Sequence, residues 1–186
     1  MSQHVAVDSV FPVGSHHHLE ATIMENIIRN GDFSSGLSHW KANKGVDTAV
    51  DGGRHYAYFD KGVGITQELN GMEGGMRWLL RFEVGDYPLK PTVWQTSMVR
   101  PSPLELPRVQ REEPLLKAQL ALLLFDGTTY WQSMDTFDVY PSWGMVSRAF
   151  DVPERCDVGD VSIKLYDFPG QPDRSMAIRG IELLKI

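Results

Sequence analysis

The sequence predicts an all-β fold in which two antiparallel sheets pack face to face. Three observations lead there. Apolar residues recur at every second position in one stretch after another, turn pairs such as Asn70-Gly71 and Asp126-Gly127 punctuate those stretches, and none reads as a convincing helix. At 186 residues the chain fits one domain, long enough to bury a core without staples.

Residues 1–22 are polar and mixed and read as a flexible tail ahead of a domain spanning 23–186. Within the tail, His16-His17-His18 is a weak transition-metal binder at most, because no regularly spaced cysteine or carboxylate completes a site. Tyr56, Tyr58 and Asp60 alternate with Ala57 and Phe59, a strand period. Gly62 to Leu69 reads as a further strand, closed by Asn70-Gly71. Trp78, Leu80, Phe82 and Val84 form one apolar face, with Arg81 and Glu83 opposite. Lys117 to Phe125 is a long apolar run that propensity alone would allow as a helix. Its strand neighbours and the Asp126-Gly127 pair behind it predict instead a strand and a tight hairpin leading to Tyr130 and Trp131. Val146 to Val152 is the next strand, ended by Pro153. Val161, Ile163 and Leu165 then alternate with Ser162, Lys164 and Tyr166, and Met176 to Ile186 closes the chain. One segment breaks the rhythm. Residues 86–114 hold Pro88, Pro91, Pro101, Pro103, Pro107 and Pro114, and proline cannot donate to a sheet ladder. A loop this long is expected to be mobile or to pack on a partner.

Composition narrows the function. A net charge of −6 offers no basic face for nucleic acid and no attraction to an anionic membrane surface. The single cysteine, Cys156, precludes an internal disulfide, so packing must supply stability. No run approaches the ~18 apolar residues of a membrane span. No basic, then apolar, leader opens the chain, which predicts a cytoplasmic protein or one exported without a cleaved signal. There is no Gly-x-Ser-x-Gly elbow, phosphate loop or zinc spacing. Asp126, Asp135, Asp138 and Glu83 can be paired as glycosidase carboxylates only on paper, since nothing in the sequence sets their separation. The expectation is therefore a binding protein, with no enzyme activity, cofactor or metal.

The run Asn30-Gly31-Asp32-Phe33-Ser34-Ser35-Gly36-Leu37-Ser38-His39-Trp40 resembles the opening of jelly-roll carbohydrate-binding modules of the galactose-binding-like fold. Ile65 to Leu69, Gly75 to Phe82, Trp143 to Val152 before Pro153, and Met176 to Ile186 follow in that family's order. The resemblance covers residues 24 to 186 apart from the Pro-rich insertion. It implies a two-sheet antiparallel jelly-roll β-sandwich, with Phe33, Trp40 and Trp143 structural. It also implies a partner that is an oligo- or polysaccharide. A protein-interaction or assembly role on the same fold is the alternative. Many members hold a calcium ion between the opening turn and the closing strand. Here Ser34 and Arg179-Gly180 occupy the places of its acidic ligands, so that Arg179 either pairs with Asp32 in place of the ion or points to solvent and leaves Asp32 to shape its own turn.

Sugar rings ask for exposed aromatics beside hydrogen-bonding side chains. Trp78 shares a face with core residues, which leaves Trp94, in the insertion, and Trp131, beside Tyr130, as aromatic candidates. Arg81, Glu83, Gln119, Lys164 and Tyr166 fall at outward positions of their strands, and together they would make a polar groove on one sheet face.

Overall fold

The computed structural model describes residues 25–88, 114–156 and 158–186. In chain order its strands are β1 (Lys41–Ala42), β2 (Val46–Asp51), β3 (Arg54–Phe59), β4 (Gly64–Asn70), β5 (Arg77–Tyr87), β6 (Leu116–Phe125), β7 (Tyr130–Val139), β8 (Gly144–Asp151), β9 (Val158–Leu165) and β10 (Ser175–Lys185). They form two five-stranded antiparallel sheets. The order β2-β3-β10-β5-β8 makes one, called here the terminal sheet because it holds the closing strand. The order β1-β4-β9-β6-β7 makes the other, called the hairpin sheet because the β6–β7 hairpin ends it. This is the expected all-β jelly-roll sandwich.

Period-2 patterning explains the core. Trp78, Leu80, Phe82 and Val84 of β5 point inward and are buried, as are Leu116, Leu120 and Leu122 of β6 and Val161, Ile163 and Leu165 of β9. The run 116–125 is a strand, paired along its whole length with β7 on one side and from Ala118 to Phe125 with β9 on the other. The opening motif folds as its composition requires. Phe33 and Trp40 are buried with ring centroids 5.8 Å apart, and the Trp40 indole N–H donates to the Asn30 carbonyl at 3.1 Å. Gly31 is needed for close approach. A Cβ there would lie 2.0 Å from the Ile181 carbonyl oxygen of the closing strand.

The first described residues meet the closing strand β10. Asn26 bridges Leu184, and its side-chain oxygen accepts from the Leu183 N–H at 2.9 Å. The first full strand, β1, nevertheless lies in the other sheet and pairs with β4. Two boundaries differ from expectation. The polar-rich stretch Val46–Asp51 forms β2, which alternation alone does not announce. Asp86 and Tyr87, assigned from sequence to the Pro-rich insertion, are the last residues of β5, paired with Met176 and Ser175. Asp86 is fully buried there, 2.7 Å from the Arg174 guanidinium. Residues 89–113 of the insertion, including Trp94, and the tail at 1–22 lie outside the described residues.

β7 and β8 end their respective sheets on the same flank of the sandwich. An ion pair between the inward-facing Asp135 of β7 and Arg148 of β8 ties the two sheets together midway along that flank.

Candidate functional site

The outer face of the hairpin sheet carries an exposed aromatic stack beside charged side chains. Leu120, Leu122 and Leu124 of β6 point inward, so Leu123 and Phe125 point out. β7 pairs Tyr130 directly with Phe125, and the two rings stack at 4.6 Å between centroids. Tyr130 is 67% exposed. The stack and Leu123 form one wall of a recess of about 210 Å³, and Lys41, Glu68 and Asp160 supply its polar side. Lys41 and Glu68 lie 3.6 Å apart in an exposed ion pair. The turn before Tyr130 is fixed locally. Asp126 accepts the backbone N–H groups of Thr129 at 2.6 Å and Thr128 at 2.9 Å, together with the Thr128 hydroxyl. These bonds stabilise the carboxylate and hold its pKa at about 2.

The same face continues along the strands. Gln119 of β6 is paired with Lys164 of β9 and Thr136 of β7, and its amide reaches the Met134 sulfur at 3.7 Å. Tyr166, 40% exposed, lies just beyond β9 against Phe168, with the Lys164 ammonium 5.9 Å from its ring centre. Tyr130 and Tyr166 therefore stand at opposite ends of one sheet face, roughly 25 Å apart at ~3.4 Å per residue along β6. Between them runs a mixed surface that includes Asp160, Ser162, Gln132 and Thr136.

The structure divides the groove expected from sequence. Tyr130, Gln119, Lys164 and Tyr166 share the hairpin-sheet face. Arg81 and Glu83 lie on β5, in the terminal sheet, and so point out of the opposite side of the sandwich. Alternation says that a side chain points outward, not which sheet carries it. Both residues are also already paired. Arg81 bonds Glu182, and Glu83 is held by Arg179 and lies 3.6 Å from Arg54. Trp131, next to Tyr130, turns by strand parity toward the other side of β7. It is 50% exposed and lines a separate recess of about 300 Å³ between β7 and β8, with Leu122, Leu124, Phe150 and Pro153. Its indole contributes a further hydrogen bond to Asp126.

Sequence reasoning missed Phe125, Glu68 and Asp160. The parity of β6 was a usable signal for Phe125, since it puts position 125 on the face opposite Leu120 and Leu122. Trp143 is not a core residue either. It is partly exposed on the outer side of the terminal sheet, 6.0 Å from Tyr56 edge to face, with the Arg179 guanidinium 4.0 Å above its ring. Tyr58 and Tyr87 stack beside this group at 4.2 Å.

The closing strand also revises the expected ion substitute. Arg179 donates from Nε and Nη2 to one oxygen of Glu83 at 2.9 and 2.6 Å, not to Asp32. Asp32 accepts from the backbone N–H and the hydroxyl of Ser34, so it shapes its own turn. Asp32, Glu83, Arg54 and Arg179 line one recess on this side, and the two guanidiniums give it a donor set that does not suit calcium. Among the described residues no group of three His, Cys, Asp or Glu side chains is placed to hold a metal ion.

No sequence-family pattern matches the chain, and no curated protein matches it. Solved structures do. A CBM4 structure is 13% identical over 86% of this chain and 99% of its own, with a TM-score of 0.56. A Family 16 Carbohydrate Binding Module-2 is 16% identical over 86% of this chain and 99% of its own, with a TM-score of 0.57. The enzymatically active domain of bacteriophage CBA120 tailspike protein 4 is 12% identical over 87% of this chain, with a TM-score of 0.59, and the match spans only 21% of that chain. At these identities the likeness is one of fold.

Proposed function

We propose that this chain is a non-catalytic module that binds an oligo- or polysaccharide on the outer face of the hairpin sheet. The observation that carries the reading is the exposed Phe125–Tyr130 stack, set beside Lys41, Glu68 and Asp160 in a shallow open recess. An aromatic platform meets the apolar face of a pyranose, and charged or amide side chains at its edge meet the hydroxyls. Gln119, Lys164 and Tyr166 extend the surface toward the far end of the same face, so a chain of several sugars has polar partners beyond the stack. The carbohydrate-binding modules that share the fold support the reading.

A glycan array followed by titration calorimetry on its hits tests the proposal. Tyr130→Ala should weaken binding about fivefold, the loss of roughly 1 kcal/mol of stacking, without lowering the melting temperature much. Arg81→Ala, on the opposite side of the sandwich, should leave affinity unchanged. An array with no hit, or a hit indifferent to Tyr130, overturns the proposal.

A further inference from the structure

We infer that the free edge of β7 pairs with β7 of a second copy of this chain, joining two sandwiches through a continuous sheet. β7 ends the hairpin sheet, and among the described residues no strand pairs with its outer edge. Sheet edges are normally blunted by charge, proline, bulges or shortness, because their unpaired N–H and C=O groups template further pairing. The other three edges are blunted in this way. β1 has two residues, β2 carries Asp47 and Asp51, and β8 carries Arg148 and Asp151, whereas the charges of β7, Asp135 and Asp138, are confined to its second half. The first half of β7, Tyr130-Trp131-Gln132-Ser133-Met134, has no charge, proline or glycine, and every one of these residues is exposed. Its pairing with β6 runs without a register shift, so no bulge twists the edge away.

The hairpin fixes which groups the edge offers. Asp126 N–H donates to the Thr129 carbonyl across the turn. Antiparallel alternation then aims the backbone groups of Trp131 and Ser133 at β6, and those of Tyr130, Gln132, Met134 and Thr136 outward. An antiparallel copy centred on Ser133 brings Gln132 opposite Met134 and Tyr130 opposite Thr136, each an outward-bonding residue matched to another. Trp131 falls opposite Asp135, and Ser133 opposite itself. No like charges face each other in this register. The contact is isologous and closes at two subunits, and the second strand also covers the mouth of the recess beside Trp131. The two Phe125–Tyr130 platforms then share one extended sheet, although the inference does not depend on what they bind.

Sedimentation equilibrium of the full chain over a concentration series reads the outcome. A reversible monomer–dimer equilibrium is expected. It should strengthen as salt rises, because each copy carries a net charge of −6 and salt screens their mutual repulsion. Gln132→Pro removes an outward N–H without touching the β6 ladder, and it should weaken dimerisation at least tenfold. Ser133→Asp, at an exposed position, sets two carboxylates opposite each other and should do the same. Either variant counts only if its melting temperature shows it folded, and Ser133→Asp serves where Gln132→Pro does not fold. A parent that stays monomeric to about 1 mM overturns the inference. So does a dimer that survives a folded variant, because its contact must then lie elsewhere.

Discussion

Removing Arg179 should destabilise this domain clearly more than removing Arg81, whose ion pair is far more exposed. The Arg179 side chain is only 13% exposed and its partner Glu83 is 29% exposed. Two hydrogen bonds converge on one carboxylate oxygen, and the guanidinium also lies over the Trp143 ring. Hydrogen bonds to charged groups contribute about 1.5–3 kcal/mol. A cation–π contact adds roughly 0.5–1 kcal/mol. Truncation leaves Glu83 with Arg54 at 3.6 Å, a side chain too exposed to hold it firmly, but water also reaches Glu83 and recovers part of the loss. Arg179→Ala should therefore cost about 2–3 kcal/mol, which lowers the melting temperature by roughly 5–10 °C in a chain of this length. Arg81→Ala, whose ion pair is 44% and 38% exposed, should cost less than about 0.5 kcal/mol. Thermal and urea unfolding followed by circular dichroism measure both, and a Glu83→Gln, Arg179→Ala double-mutant cycle isolates the pair. Equal losses for the two arginines would refute the reasoning. So would a clear rise in melting temperature on adding calcium, because it would show the recess taking the ion after all.

The Asp126 turn predicts a pH dependence. Its pKa of about 2 in the folded chain, against the ordinary 3.8, means that its contribution is fully present above about pH 4 and fades as pH falls toward 2. Asp126→Asn should flatten unfolding curves in that window, and an unchanged pH slope would count against the turn as its source. Gly31→Ala drives a Cβ against the Ile181 carbonyl, and it should cost more than about 2 kcal/mol in urea unfolding or prevent folding. A variant as stable as the parent would mean that the closing strand yields there.

The fold was legible because parity and punctuation agreed. Trp78 to Val84 and Val161 to Leu165 alternate, the apolar run 117–125 was decided by its neighbours and the turn pair behind it, and Asn70-Gly71 and Asp126-Gly127 mark the ends of strands. β2 was missed because an exposed edge strand needs no apolar face, and Asp47, Thr48 and Asp51 look like loop. The candidate face was legible only by halves. Alternation exposed Arg81 and Glu83 as correctly as it exposed Gln119 and Lys164, but the pairing that sends β5 to one sheet and β6 to the other is a long-range property. Trp131 and Tyr130 looked like one aromatic pair, yet neighbours in a strand face opposite ways. The partnership of Arg179 with Glu83 rather than Asp32 also depended on pairing, since β10 and β5 run side by side and set the two residues directly opposite.

The bridge between Asn26 and Leu184 has a mechanical meaning. The two ends of the sandwich lie side by side and antiparallel, so a force that draws them apart acts across the strands rather than along them. The bonds from Ile27 N–H to the Leu183 carbonyl and from Leu183 N–H to Asn26 are then loaded one after another, like the teeth of a zipper. A protein pulled by those ends yields by peeling its opening segment from β10. The face that carries Tyr130, on the other sheet, is left out of the line of tension.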